Sequence, residues 1–202
     1  MAETLDDAHR LATALAAGGV ALAPTDTVYG LLAKPNHPAA AERIFELKRR
    51  PANMSLQVLL PANMAPSEIG AVVPLEAAAI MVRDDLRPRI TFILALDPKT
   101  KPAWIAHRDE AGVRIPAAPE IQVLLALTGP LYATSANAHG APPGATTSAI
   151  LASLDGAPDA IWDGGELASE ASTVINFNTV PPTVLRWGVV RDLREFGLGH
   201  DD

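Results

Sequence analysis

The chain alternates short, wholly apolar runs with longer amphipathic stretches, and this rhythm lays out its elements. Leu5, Ala8, Leu11, Ala12 and Leu15 recur at helical spacing, and Gly18-Gly19 then offers a helix stop. Val20 to Ala23 is apolar throughout, as a short strand would be, and leads into Pro24-Thr25-Asp26-Thr27-Val28-Tyr29-Gly30. Pro38 suits the first turn of a second helix, with Ile44, Phe45 and Leu47 as apolar positions. That helix ends at Lys48-Arg49-Arg50 before Pro51. A strand–loop–helix unit is the economical reading.

Further strands are predicted over Ser55 to Leu60, Ile90 to Leu96, Gly112 to Pro116 and Leu131 to Thr134. Ala160 to Asp163, Ser172 to Phe177 and Val184 to Val190 complete the strand set. Leu75 to Val82, Ile121 to Leu127 and Ser148 to Leu154 read as helices. Strands alternating with helices predict an α/β sheet covered by helices. The closely spaced late strands predict antiparallel pairs, so the sheet should be mixed.

Composition narrows the class. The 202 residues suffice for one well-buried core, and a second full domain is not expected. The absence of cysteine excludes disulfides, thiolate metal sites and cysteine nucleophiles. No apolar run approaches a membrane span, and the acidic N-terminus does not look like a signal peptide, so a cytoplasmic protein is expected. The net charge of -7 argues against tight RNA binding, because phosphate contacts dominate such affinity.

Candidate chemistry lies where strands hand over to loops. Thr25, Asp26, Thr27 and Tyr29 could serve an amino acid there, or simply close a hydrogen-bonded turn. Lys48 and Arg50 could clamp a polyphosphate, or only offset a helix dipole. Ser135 and Asn137 follow an apolar strand and could reach a phosphate, a ribose or an adenine edge; an Asn-centred turn is the alternative. Arg114 and Arg186 are charges inside apolar strands without an obvious local carboxylate, which points to an anion site. The five histidines show no metal-ligand spacing, and no Walker loop, GxGxxG or GxSxG is present.

Taken in order, PTDTVYGL, ELKRRP, GVRIP, YATSANAHGAPP, STVINF and VLRWG resemble the YrdC-like threonylcarbamoyl-adenylate synthase family, in its short single-domain form. The likeness runs from about residue 8 to residue 190, leaving a tail over 191–202 of one domain spanning 1–202. The resemblance implies a YrdC/RibB-like fold: a twisted open mixed sheet with helices on its faces and a large concave cavity. It implies that L-threonine, bicarbonate and ATP give threonylcarbamoyl-AMP and pyrophosphate, for downstream proteins that modify tRNA. By the same likeness Lys48, Arg50, Ser135, Asn137 and Arg186 would hold ATP, with Lys48 and Arg50 central to catalysis. Thr25, Arg114 and Ser172 would hold threonine, while Thr27 and Tyr29 shape that end. Mg2+ would ride on the phosphates, held by substrate oxygens and water rather than by a protein metal site.

The chain departs from the family pattern in places. The usual Pro-Gly-Pro-Leu-Thr run is Arg87-Pro88-Arg89-Ile90-Thr91, the His of Arg-x-Pro-x-His is absent after Arg114, and Leu-Arg-Pro-Gly becomes Leu185-Arg186-Trp187-Gly188. The two loop arginines keep open a paralogue using another carbamoyl or acyl adenylate, or a non-catalytic nucleotide- or RNA-binding factor.

Overall fold

The computed structural model describes residues 2–51, 54–167, 170–192 and 194. Helices α1 (Ala2–Ala16), α2 (Pro38–Leu47), α3 (Leu75–Met81), α4 (Pro119–Thr128) and α5 (Thr147–Ser153) surround one sheet. Its strands are β1 (Ala21–Ala23), β2 (Gly30–Ala33), β3 (Gln57–Leu59), β4 (Ile90–Ala95) and β5 (Glu110–Arg114). β6 (Leu131–Ser135), β7 (Ala160–Ile161), β8 (Thr173–Asn176) and β9 (Thr183–Arg186) follow. They line up as β7-β1-β2-β6-β3-β5-β4-β8-β9 in an open mixed sheet of nine strands. The pairs β1–β7, β3–β5 and β4–β8 are parallel, and the others antiparallel.

The expected strand–loop–helix unit is corrected: Gly30 to Ala33 is a strand, so Pro24 to Tyr29 is the turn of a hairpin with Ala23 opposite Gly30. All four residues of β2 are buried, which hides the alternation that identifies a half-exposed strand. The last expected strand is also shorter, ending at Arg186. Gly188 and Val190 instead donate to the Thr173 hydroxyl at 3.0 and 3.1 Å. Most of the tail expected at 191–202 lies outside the described residues.

Two apolar layers enclose the sheet. Ala40, Ile44 and Leu47 of α2 and Ala77 and Ile80 of α3 pack with Leu31, Val58, Val113 and Phe92 on one face. On the other, Leu11 and Leu15 of α1 and Leu124 and Leu125 of α4 cover Leu32, Leu59, Leu131 and Ala133. Period-two alternation sends neighbouring residues of each strand to opposite layers. The second layer covers only β7, β1, β2, β6 and part of β3. Beyond it, toward β9, the same face is open.

Candidate functional site

The open part of that face is the floor of a cavity of about 440 Å3, within the roughly 300–1,000 Å3 usual for small-molecule sites. Register places Ala133 beside Gln57, Gly112 beside Ile93, Thr91 beside Val174 and Val174 beside Arg186, all on this floor. Thr27, Arg50, Arg114, Ser135, Ser172 and Arg186 line it, gathering residues from separate parts of the chain. A larger groove of about 1020 Å3 lies against the other face, around Phe45, Trp104, Arg108 and Tyr132, and holds none of these residues.

Arg114 is 3% exposed and is held on both sides. Its Nη2 pairs with Asp26, and its Nε donates to the Pro88 carbonyl at 2.9 Å. Asp26 also accepts from the Ala117 and Ala118 amides at 2.7 and 3.0 Å. The partner that a charge inside an apolar strand requires is therefore a protein carboxylate, distant in sequence rather than local. Asp26 sits in the quoted hairpin turn but is remote from Arg114 in sequence, so only the need to neutralise a strand charge hinted at a partner. Pairing fixes the guanidinium's direction, and the cavity remains open to its other edge.

Arg186 donates from Nη2 to the Ser172 carbonyl at 2.8 Å. Arg50 reaches round the end of the sheet, where Nη1 meets the Thr134 hydroxyl at 3.0 Å and Nη2 the Ser55 carbonyl at 3.2 Å. Burial lowers the pKa of Arg50, and the charge of Arg186 lowers it further. Arg114 is lowered chiefly by burial, opposed by Asp26, with Arg186 adding to the lowering. Arg186 thus acts on both neighbours, so the lining concentrates positive potential.

The remaining candidates stand behind the lining. Lys48, 3% exposed, donates to the Asn137 carbonyl at 2.5 Å and also to the Ser135 carbonyl. Burial, then the neighbouring Arg50, lowers its pKa to about 8. Asn137 donates to the Ala138 and Ala141 carbonyls at 2.9 and 2.7 Å, leaving its buried Oδ1 without a partner among the described residues. Thr25 closes the hairpin turn, donating to the Val28 carbonyl at 2.7 Å. The Tyr29 hydroxyl is taken up elsewhere, accepting from Gly164 and donating to the Gly165 carbonyl. The loop arginines do not line the cavity either: Arg87 pairs with Asp84 at 3.1 Å, and Arg89 donates to the Val189 carbonyl at 3.1 Å.

A family model described as telomere recombination, and covering Sua5, YciO and YrdC, matches residues 13–188. The chain belongs to the Sua5/YciO/YrdC family. A relative from Xanthomonas euvesicatoria named threonylcarbamoyl-AMP synthase is 36% identical over 169 residues, covering 79% of this chain and 88% of its own. The threonylcarbamoyl-AMP synthase of Bacillus subtilis is 31% identical over 181 residues, covering 87% of this chain and 52% of its own. Among solved structures, Pyrococcus abyssi Sua5 complexed with L-threonine superposes with a TM-score of 0.82 at 29% identity, over 95% of this chain and 56% of that one. Escherichia coli YciO superposes with a TM-score of 0.79 at 26% identity, over 95% and 93%.

Against that Sua5/YciO/YrdC background, the cavity has the donors that a nucleotide and an amino acid need. Among the described residues no group of three or more His, Asp or Glu could hold a metal ion. No helix among the described residues is long and apolar enough to cross a membrane.

Proposed function

We propose that this protein is an L-threonylcarbamoyladenylate synthase, making threonylcarbamoyl-AMP and pyrophosphate from L-threonine, bicarbonate and ATP. One observation carries the reading: Arg50, Arg114 and Arg186 converge with Ser135 and Ser172 on a single cavity, in a chain of this family. The relatives' name and the threonine held by the Pyrococcus Sua5 support it.

The reactants carry a carboxylate, a one-carbon anion and a polyphosphate, so the site must above all offset charge and align partners. Arg114, pre-set by Asp26, takes the threonine carboxylate as a planar fork. Arg50 and Arg186 take the phosphates, with Ser135 beside them. Lys48 fixes the carbonyls at the end of β6, and its charge adds to the phosphate end. The threonine amine gives up its proton and joins the one-carbon unit, forming a carbamate and releasing water when bicarbonate is the donor. A carbamate oxygen then attacks the α-phosphorus of ATP, and pyrophosphate leaves. Magnesium, when bound, screens the phosphate oxygens. The product is a mixed anhydride suited to transfer onto tRNA adenosine by downstream proteins, in the cytoplasm.

Purified protein incubated with ATP, threonine and labelled bicarbonate should release pyrophosphate only when threonine is present, and should accumulate labelled adenylate. Pyrophosphate release that ignores threonine would remove the reading.

A further inference from the structure

Gln57 is an amide inside the otherwise apolar run Leu56 to Leu60, and it lies on the cavity floor. The Thr91 hydroxyl donates to Gln57 Oε1 at 3.0 Å, and the Thr91 and Ser172 hydroxyl oxygens are 2.7 Å apart. β3 and β4 are not neighbours, because β5 runs between them. The Thr91–Gln57 bond therefore crosses above β5, and the residue beneath it is Gly112. A Cβ there would stand 3.3 Å from Thr91 Cγ2 and 3.6 Å from Gln57 Cβ. A bulkier side chain would fill the space the bond uses. The glycine thus keeps a polar chain, Gln57–Thr91–Ser172, running across the floor.

Proton count fixes the direction of this chain. An amide oxygen only accepts, so the single Thr91 proton goes to Gln57. The 2.7 Å contact then makes Ser172 the donor to Thr91. Toward the cavity Ser172 Oγ offers lone pairs alone. Gln57 Nε2 has no protein hydrogen-bond partner among the described residues, so both its N–H groups are left for a ligand.

Position says which part of the ligand they meet. Ser55, shortly before Gln57, is held by Arg50, at the phosphate end. The register of β3 with β5, Val58 opposite Val113, sets Gln57 level with Gly112, which precedes Arg114 at the carboxylate end. Gln57 therefore sits midway, where the one-carbon unit joins the two halves of the product. A neutral donor suits that place, since it orients a carbonyl oxygen without holding the carbamate as an ion pair.

We propose that Gln57 is a further substrate-binding residue whose Nε2 donates to the carbamate carbonyl oxygen, while Ser172 Oγ accepts from the substrate N–H. The inference rests on the threonylcarbamoyl-adenylate reading and narrows the threonine contact of Ser172 to the amine.

Steady-state kinetics of the full chain, varying ATP, threonine and bicarbonate in turn, test it on Gln57→Leu and Gln57→Glu. Gln57→Glu keeps the acceptor for Thr91 and loses both donors, which separates lost hydrogen bonds from lost packing. Both variants should lose about tenfold or more in kcat/KM for bicarbonate, while KM for ATP stays within about twofold. Thr91→Val frees the Ser172 proton to turn toward the cavity and should raise KM for threonine. Bicarbonate kinetics within about twofold of the parent in both Gln57 variants would overturn the inference, as would an equal rise in KM for ATP. A parent without threonine-dependent turnover removes this inference and the activity together; an active parent with indifferent variants removes the inference alone.

Discussion

Leu59 and Arg114 are register partners on neighbouring parallel strands and point to the same face, yet their surroundings are opposite. Leu59 is sealed beneath α1 and α4 among aliphatic side chains. Arg114 borders the cavity, anchored by an ion pair and a carbonyl. The contrast extends across the sheet. Under the helices the floor is Leu, Ala and Trp, held by packing; beyond them it includes Gly112, Thr91, Gln57 and Arg186, largely held by hydrogen bonds. The face opposite is packed by the layer that includes α2 and α3 as far as Phe92 and Ile175, so much of the open half is backed from behind. A sheet can give up half of one apolar layer to a ligand if its polar side chains restrain one another.

Substitutions on the two halves should therefore fail differently. Leu124→Ala, under full cover, should lower unfolding free energy by about 2–5 kcal/mol in urea melts, with kcat/KM per folded molecule near the parent value. Gly112→Val should combine both failures. Its side chain meets Ile93 Cδ1 and Thr91 Cγ2, which lie 3.2 and 3.3 Å from even a bare Cβ. Overpacking of this kind costs about 1–3 kcal/mol, and turnover should fall as the floor fills. Arg50→Ala should leave the melt nearly unchanged but cut kcat/KM at least tenfold, about 1.4 kcal/mol of transition-state stabilisation. Near-normal turnover in that variant would show that the open half does not carry the phosphates.

Lys48 gives the subtlest contrast, because its pKa falls from 10.5 to about 8 on burial. Between those values the unfolded chain binds the extra proton, so the Lys48 contribution to stability rises with pH. Below about 8 both states are protonated and the slope vanishes. Activity should move the other way, falling above pH 8 as the ammonium charge is lost. Lys48→Met should abolish the stability slope in that window. An unaltered slope in pH-resolved melts would assign it to other groups.

Sequence reading reached the elements well and the connections poorly. Apolar runs marked most strands to within a few residues, but β2 was hidden in the hairpin because burial on both faces removes alternation. Strand order was out of reach, since the pairing of β7 with β1 and of β8 with β4 depends on distant segments. In the site, the charged strand residues Arg114 and Arg186 were legible because such charges require a purpose. Asp26 was legible as a turn residue or a substrate contact but not as the partner of Arg114, since that contact joins segments distant in sequence. Gln57 left one signal, an amide within an aliphatic strand. Its meaning became visible only with Gly112 and Thr91 beside it.

Hydrogen–deuterium exchange with ATP and threonine bound addresses the division of the face most directly. Exchange should slow in the segments that line the open half, around Gln57, Gly112 to Arg114, Ser172 to Val174 and Arg186, while α1 and α4 keep their rates. Slowing confined to the groove around Phe45, Trp104 and Tyr132, or absent altogether, would contradict the account.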